Sequence, residues 1–488
     1  MGGSVNQLRL TPVLCAAIGA AAGFYVLFKV PLHITVFILI FLTAALCFFR
    51  VLSSLCLQSR RLHLTAVCAS VFAAGLVFGM CAAAAGSNEL NAGIAENKIT
   101  AVEAVLLEDP RILPNGTAMV SVSLTKCAGS GGLRANASGV ITIFFPQVNA
   151  QKIKEFGRAA AVFAEGSLRQ SNFGYSFSAV SLHVTKPAPP FERMRTGIRL
   201  GLIERFEGKP WGGLALAMLL GIRDNLDTDF TARYGNAGLS YILALSGMHL
   251  AVLAALITFL FRKLLGLKLS AVLSAVIIII YCVLVGPMPS LNRAVLMYVL
   301  GVIAVLGFLP KSTVSVLSLS FLIQIFLTPQ AGSSLSFILS YTALLGIVIT
   351  GNALSSLFSG KIPDFLLQPL SLSCGVFLTT AGICIYTFGS LAPIGIIAGL
   401  IIVPLITVFM IGSMIWLLIS FLPFSALLNF PMTLLYRFMD FTAAAAGNVS
   451  RISADFSAVL AVSLVLSFLI IIIDIKRSKA VLKPEAFL

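Results

Sequence analysis

Of the chain's 488 residues 58% are hydrophobic and only 10% charged, and the mean hydropathy is +1.01. A soluble globular chain carries roughly 25% charged residues, so soluble classes are excluded and a polytopic membrane protein is expected. The net charge of +15 does not by itself require nucleic acid, because membrane proteins gather Lys and Arg in cytoplasmic loops.

Residues 11 to 28 and 31 to 49 are apolar runs of near-spanning length split by Lys29-Val30-Pro31, which reads as a transmembrane hairpin. A cleavable signal peptide is the rival for the first run, but a second span follows at once, and Leu14 before Cys15 does not suit a lipoprotein signal. Arg50, Arg60 and Arg61 mark a basic loop, and Leu64 to Ala85 is a third span. Gly19-x-x-x-Gly23 and Gly75-x-x-x-Gly79 favour close helix packing. With the basic loop cytoplasmic, the amino terminus is inside and the chain after residue 86 emerges outside.

From Gly86 to Glu192 long apolar runs vanish and short alternating segments appear. Strands are predicted at Ile99 to Leu107, Thr117 to Thr125, Gly139 to Phe145, Ala160 to Leu168 and Phe177 to Val184, with a helix at Val148 to Phe156. Five strands with a helix after the third is the order of an OB barrel. Such barrels hold single strands by stacking bases on aromatics beside a basic groove. Phe144, Phe145, Phe173 and Tyr175, with Lys152, Lys154, Arg158 and Arg169, are candidates for those contacts. The competing reading is that the aromatics fill the barrel and the charges form a solvated face.

Arg193, Arg195, Arg199, Arg205 and Lys209 interleave with Met194, Ile198, Leu202, Ile203 and Phe206 up to Pro210-Trp211, the pattern of a helix lying on the membrane surface. Lipid head groups are its first expected contact, and a funnel for polyanions is the second reading. Asp224, Asp227 and Asp229 are expected to cap the following helix rather than hold a cation. The nine cysteines are spread singly with no metal-ligand spacing and read as small core residues.

Gly238 to Leu250 carries Ser240, Ser246 and His249 in an apolar setting, which calls for a protein-lined or wet interior. Ser246 and His249, three apart, share a helix face. Arg293 enters an otherwise apolar helix, Leu291 to Leu309. It either faces protein, water or an anion, as in phosphate pores, or snorkels to head groups from the helix start. A hydrolase with His249 as base for Ser246 is the rival reading of that pair, but it needs an orienting carboxylate that the neighbouring sequence lacks.

Further spans are predicted at 269 to 286, 291 to 309, 313 to 328, 334 to 350 and 367 to 387, with Arg262, Lys263, Lys268, Lys311 and Lys361 in alternate loops. Pro393 to Leu422 with Pro404 is either one kinked helix or two half-helices. A last span, Phe456 to Ile473, precedes Lys476-Arg477-Ser-Lys479, a tail expected in the cytoplasm. Helix parity then requires either doubling back within 393 to 422 or a crossing by 426 to 446.

Several motifs in order resemble the ComEC competence family. They are Leu219-Leu-Gly-Ile-Arg-Asp-Asn-Leu226, Gly238 to Leu250 with its Ala-Leu-Ser-Gly-Met-His centre, and Pro289-Ser-Leu-Asn-Arg-Ala-Val-Leu-Met297. Leu335-Ser-Phe337 follows, and then Tyr386-Thr-Phe-Gly-Ser-Leu-Ala-Pro-Ile-Gly395 leading to Val403-Pro404. The layout agrees too, since family members place an OB-like domain between amino-terminal spans and the core. Tyr241, Ser333-Ser334 and Gly399 depart from the histidine, Phe-Gln and asparagine usual in the family. The chain ends at Leu488 without the metallo-β-lactamase-like domain of longer members, and its four histidines build no such metal site, so no nuclease or other enzymatic activity and no cofactor is expected.

The expected fold is a polytopic α-helical membrane protein of about 10–12 transmembrane helices with an inserted β-rich OB-like soluble domain. Its parts are three helices in 1–86, the external domain in 87–192, amphipathic interfacial helices in 193–235, the channel core in 236–475 and a basic tail in 476–488. The resemblance implies a channel passing single-stranded transforming DNA across the bacterial cytoplasmic membrane. It also implies an external DNA receptor, a separate nuclease and a cytoplasmic helicase-like motor as partners, and a homo-oligomer is compatible with it. Ser240, Ser246, His249, Arg293 and Ser336 are the expected channel-lining residues. No Gly-x-x-x-x-Gly-Lys-Ser/Thr loop is present to energise transport. The alternative is a small-solute or lipid-handling permease whose external domain is only structural.

Overall fold

The computed structural model describes residues 12–27, 71–81, 83, 90–94, 98–113, 117–129, 134–145, 157–171, 174–286, 288–308, 312–421, 423–449, 451–453 and 455–481. The span expected at 31 to 49, its basic loop and the helix expected at Val148 to Phe156 lie outside them.

Helix Pro12–Leu27 packs against Val71–Cys81 through the two glycine pairs. A Cβ on Gly19 would lie 2.8 Å from the carbonyl carbon of Phe72, and one on Gly79 would lie 2.8 Å from that of Ala20. Only glycines permit this approach of backbone to backbone.

Eight strands follow: β1 (Asn91–Ala92), β2 (Ile99–Leu106), β3 (Arg111–Ile112), β4 (Ala118–Gly129), β5 (Arg134–Ser138), β6 (Val140–Phe145), β7 (Ala161–Ser171) and β8 (Gly174–Lys186). Five of them close a barrel in which β2 pairs with β4, β4 with β6, β6 with β8, β8 with β7 and β7 with β2. Every pairing is antiparallel except β6 with β8, where Thr142, Ile143 and Phe144 run beside Ser176, Phe177 and Ser178. Alternating residues fill the interior: Val120, Val122, Ile141, Ile143, Phe145, Val162, Ala164 and Phe177 are all buried, as period-2 patterning requires.

Among the described residues five helices are long and apolar enough to cross a membrane: Gly247–Val285, Leu335–Phe358, Asp364–Phe388, Ile394–Ile419 and Phe456–Asp474. The first is not straight. Gly266 takes φ 72° and ψ 170°, and Ser274 Oγ reaches the carbonyl of Ala254 at 3.3 Å. Twenty residues of straight helix would separate those groups by about 30 Å, so the chain reverses at Gly266, with Arg262, Lys263 and Lys268 beside the turn. Glycine suits it because other residues resist positive φ.

Leu335–Phe358 contains a π-helical stretch, Gly346–Gly351, packed on Gly375 of the next helix. Ile394–Ile419 is continuous through Pro404, so of the two readings of this run the single helix is found, and the half-helices are not. It packs along Asn429–Gly447. Around it lies the largest buried cluster, centred on Trp211, Phe409 and Trp416, with Trp211 and Trp416 ring centroids 5.3 Å apart.

Candidate functional site

Gly238 to Leu245 is a series of turns, where the Ser-His spacing had suggested helix; the helix starts at Gly247 with Ser246 as its N-cap. Irregular backbone among apolar helices is tolerated only when its polar groups are buried in protein or line a wet cavity. Here Leu239, Ile242, Leu243 and Leu245 are buried. Ser246 and His249 meet as a cap: the Ser246 N–H donates to His249 Nδ1 at 3.1 Å, and Ser246 Oγ lies 2.9 Å from the same nitrogen. A nitrogen that accepts carries no proton, so the proton is assigned to Nε2, which faces Met218 Sδ at 3.0 Å. The ring's outer partner is thus a thioether, where a Ser-His catalytic pair would have a carboxylate.

This hub gathers three of the other four motif segments. Ser290 Oγ donates to the Leu245 carbonyl at 2.7 Å, and a Cβ on Gly247 would sit 3.6 Å from that of Ala294. Tyr281 donates to the Leu219 carbonyl at 2.6 Å. A Cβ on Gly395 would lie 3.0 Å from the Ala237 carbonyl oxygen, and one on Gly399 3.0 Å from the Tyr241 hydroxyl. Two of the departures from the family pattern, Tyr241 and Gly399, therefore touch: the larger residue occupies space that the smaller one leaves.

Arg293 is the fifth residue of helix Pro289–Leu306 and only 6% exposed, so its side chain is enclosed by protein rather than extended to head groups. Its guanidinium carbon lies 5.5 Å from the Tyr341 ring centroid. Nε and Nη1 are sealed with no hydrogen-bond partner among the described residues. Tyr341 donates to Gln324 Oε1 at 3.1 Å and lies 3.3 Å from Ser320 Oγ, which fixes the ring. A buried cation–π contact offsets about 2 kcal/mol, against several kcal/mol for burying an unpaired charge. Arg293 is left electrostatically uncompensated.

Between the barrel and the core, Asp109 accepts from Arg195 Nη2 at 2.6 Å and lies 3.5 Å from Arg199 Nε. Arg199 Nη1 donates to the carbonyls of Val285 and Leu284, closing the helix end ahead of Gly286. Burial pulls the Arg199 guanidinium below its ordinary value, and Asp109 opposes that shift. Of the helix Pro190–Phe206, Arg195 and Arg199 thus face protein, while Phe191, Met194 and Ile198 are exposed.

The remaining expected residues do not assemble. Ser240 and Ser336 are exposed, away from the buried pair, and the cap of the Leu335 helix is Ser334, whose Oγ accepts from the Phe337 N–H at 3.3 Å. Phe145 is 1% exposed and fills the barrel, which corrects its assignment as a stacking platform: neighbours on a strand face opposite ways, and its turn is inward. Phe144 is half-buried, Tyr175 packs partly against the barrel core, Arg158 is half-buried and Arg169 exposed. Lys152, Lys154 and Phe173 lie outside the described residues. Asp227 caps helix Thr228–Asn236, its Oδ1 accepting from the Asp229 N–H at 3.0 Å.

Sequence reasoning missed Met218, Tyr341 and Gln324, ordinary residues of apolar helices, and also the bidentate pair of Arg233 with Asp440, at 2.7 and 3.0 Å. A signal for that pair was present, because between Asp229 and Asp440 the chain holds one carboxylate, Asp364.

The helical region that carries this geometry, residues 218–477, matches the family model described as "Competence protein". That is more than half of the chain. The chain belongs to the competence protein family. A further relative, an uncharacterized protein of Aquifex aeolicus (strain VF5), is 27% identical over 255 residues, covering 51% of this chain and 59% of that protein. The matched stretch therefore spans less than two thirds of that relative. Within the competence-family region fall the hub, Arg293 and the Arg233–Asp440 pair, and the barrel precedes it.

Proposed function

We propose that this competence-family protein is the membrane conduit that passes single-stranded DNA into the cell during transformation. The observation that carries the reading is the convergence of four family-motif segments, at Leu219, Gly238 to Leu250, Ser290 and Gly395, on the Ser246–His249 cap inside an apolar helix bundle, with Arg293 buried on the helix that carries Ser290. Five long helices, the first of them doubled at Gly266, and four shorter apolar ones make ten candidate crossings in a multi-pass bacterial cytoplasmic-membrane protein. With the span expected at 31 to 49 added before the barrel and Asn429–Gly447 crossing after it, both termini are cytoplasmic and the barrel lies outside on this reading. The barrel is OB-like: its strands pair in the order first, second, third, fifth, fourth and back to the first, as in that Greek-key class. Phe144, Tyr175 and Arg169 remain its candidate strand contacts. A receptor delivers the DNA, a separate nuclease trims it and a motor draws it in, while this chain acts as conduit rather than catalyst. Met218 in the place of an orienting carboxylate argues against the hydrolase.

A permease with a structural external domain is the second reading, favoured by the inward turn of Phe145 and the pairing of Arg195 with Asp109. The test is entry of labelled DNA into a nuclease-protected cytoplasmic pool, in a deletion strain complemented with the full chain. Restoration by the native chain, with loss in His249→Ala at matched protein level, supports the conduit. No restoration by a well-expressed native chain overturns it.

A further inference from the structure

We infer that Arg293 is a binding station for one phosphodiester anion, and that this phosphodiester belongs to the transported strand, an assignment that rests on the conduit reading. The guanidinium is 6% exposed, and no carboxylate pairs with it among the described residues. The sequence closes most of the gap left by the others: residues 1 to 88 contain no Asp or Glu, and between Asp229 and Asp440 the only acid is Asp364, exposed at the start of its helix. Asp474, buried in the last helix, accepts from the Ser356 hydroxyl at 2.6 Å, so Arg293 is a permanently charged donor with no acid paired to it among the described residues. Tyr341, tied to Gln324 and Ser320, offers the face of an aromatic ring, not an anion.

The chemistry of the guanidinium is specific. Guanidinium remains charged at any physiological pH and donates in a planar fork that matches two phosphate oxygens. A phosphodiester carries a single negative charge, which one such group neutralises. Ser290 and Ala294 of the same helix rest on the Leu245 to Gly247 turn, while the guanidinium itself faces the Tyr341 ring. A phospholipid head group offers the same chemistry, and the experiment separates the two sources.

The full chain, purified in detergent without added lipid, is titrated with a short oligothymidylate and with its uncharged methylphosphonate analogue over a range of salt. Each phosphate contact to a single strand contributes about −0.7 to the slope of log affinity against log salt. Arg293→Gln is expected to make the slope shallower by about 0.7 and to leave binding of the methylphosphonate analogue unchanged. Arg293→Lys is expected to keep the slope with weaker affinity, since it keeps the charge and loses the fork. A slope in Arg293→Gln equal to the native one, or a folded Arg293→Lys that behaves like Arg293→Gln, overturns the strand assignment. Native mass spectrometry supplies the lipid arm. A phospholipid retained by the native chain and lost from Arg293→Gln, with the oligonucleotide slope unchanged, reassigns the station to a head group. If the chain restores no DNA uptake while oligonucleotide binding still depends on Arg293, the conduit reading falls and the phosphodiester station stands.

Discussion

Replacing Gly23 and Gly75 by alanine tests how the amino-terminal helices are held. A Cβ at either position would lie 2.9 Å from a backbone carbonyl carbon of the facing helix, that of Leu76 or Ala16. The carbonyl oxygens of the same residues would be nearer still; carbon and oxygen in contact sit about 3.3 Å apart or more, so the helices must separate locally by about 1 Å or more, and overpacking of this kind costs about 1–3 kcal/mol. Both glycines address one gap, so a separation forced by the first admits much of the second. The double variant should therefore lose clearly less than the sum of the single losses. Cys15 is 5% exposed on the same helix and reports the opening. In a variant keeping it as the single cysteine, labelling by a membrane-permeant maleimide should speed up about 5- to 150-fold for each alanine, with the double variant inside that range, if labelling follows local opening. Unchanged labelling, or a double effect equal to the product of the single ones, would refute the shared-gap reasoning.

Three further outcomes follow from particular contacts. Gly399→Asn should lower the membrane level of the chain, because its Cβ would stand 3.0 Å from the Tyr241 hydroxyl; Tyr241→His in the same chain should restore it, as read by quantitative blot. Asp440→Asn should weaken the joint to Arg233, whose guanidinium is raised above its ordinary value first by the hydrogen bond to Asp440. With both side chains about 30% exposed, the loss should be about 1 kcal/mol, seen as a lower melting midpoint in detergent and recovered when Arg233 and Asp440 are exchanged. Asp455 caps the last helix, and the Ser457 hydroxyl holds its carboxyl below the ordinary value. A lowered carboxyl stabilises the folded form above its unfolded value and loses that contribution as pH falls through the folded one. Hydrogen exchange at the Ser457 and Ala458 N–H groups, corrected for intrinsic rate, should therefore rise below about pH 4 in the native chain and stay flat in Asp455→Asn.

The barrel was legible because each of its five strands alternates, as in Val140 to Phe145, and the start predicted at Ile99 is the one observed. The edge pieces β1, β3 and β5 escaped notice: two to five residues such as Arg134–Ser138 carry too little period to register. Charge located the reversal at Gly266, since Arg262, Lys263 and Lys268 interrupt an apolar run that length alone would leave whole. The π-helical stretch at Gly346–Gly351 was invisible, because Gly-Ile-Val-Ile-Thr-Gly reads equally well as ordinary helix. At the site, Ser246, His249 and Arg293 stood out as polar groups where lipid tolerates few. Tyr341 did not, since an aromatic in an apolar helix is usual and its contact with Arg293 spans 48 residues. For Ser240 and Ser336, type and motif position gave no information on the direction of the side chain.

The parallel pairing of β6 with β8 bears on how the external domain is made. Thr142 and Ser176, neighbours across that seam, are 34 residues apart in the chain, whereas β7 and β8 join through a short hairpin. Non-local pairings form late, and until this one forms β6 has an unsatisfied backbone edge open to any other extended chain. A fragment ending before Gly174 would keep that edge permanently and should precipitate, while one reaching Lys186 can close. The seam thus sets the shortest cut of this domain that is worth expressing by itself.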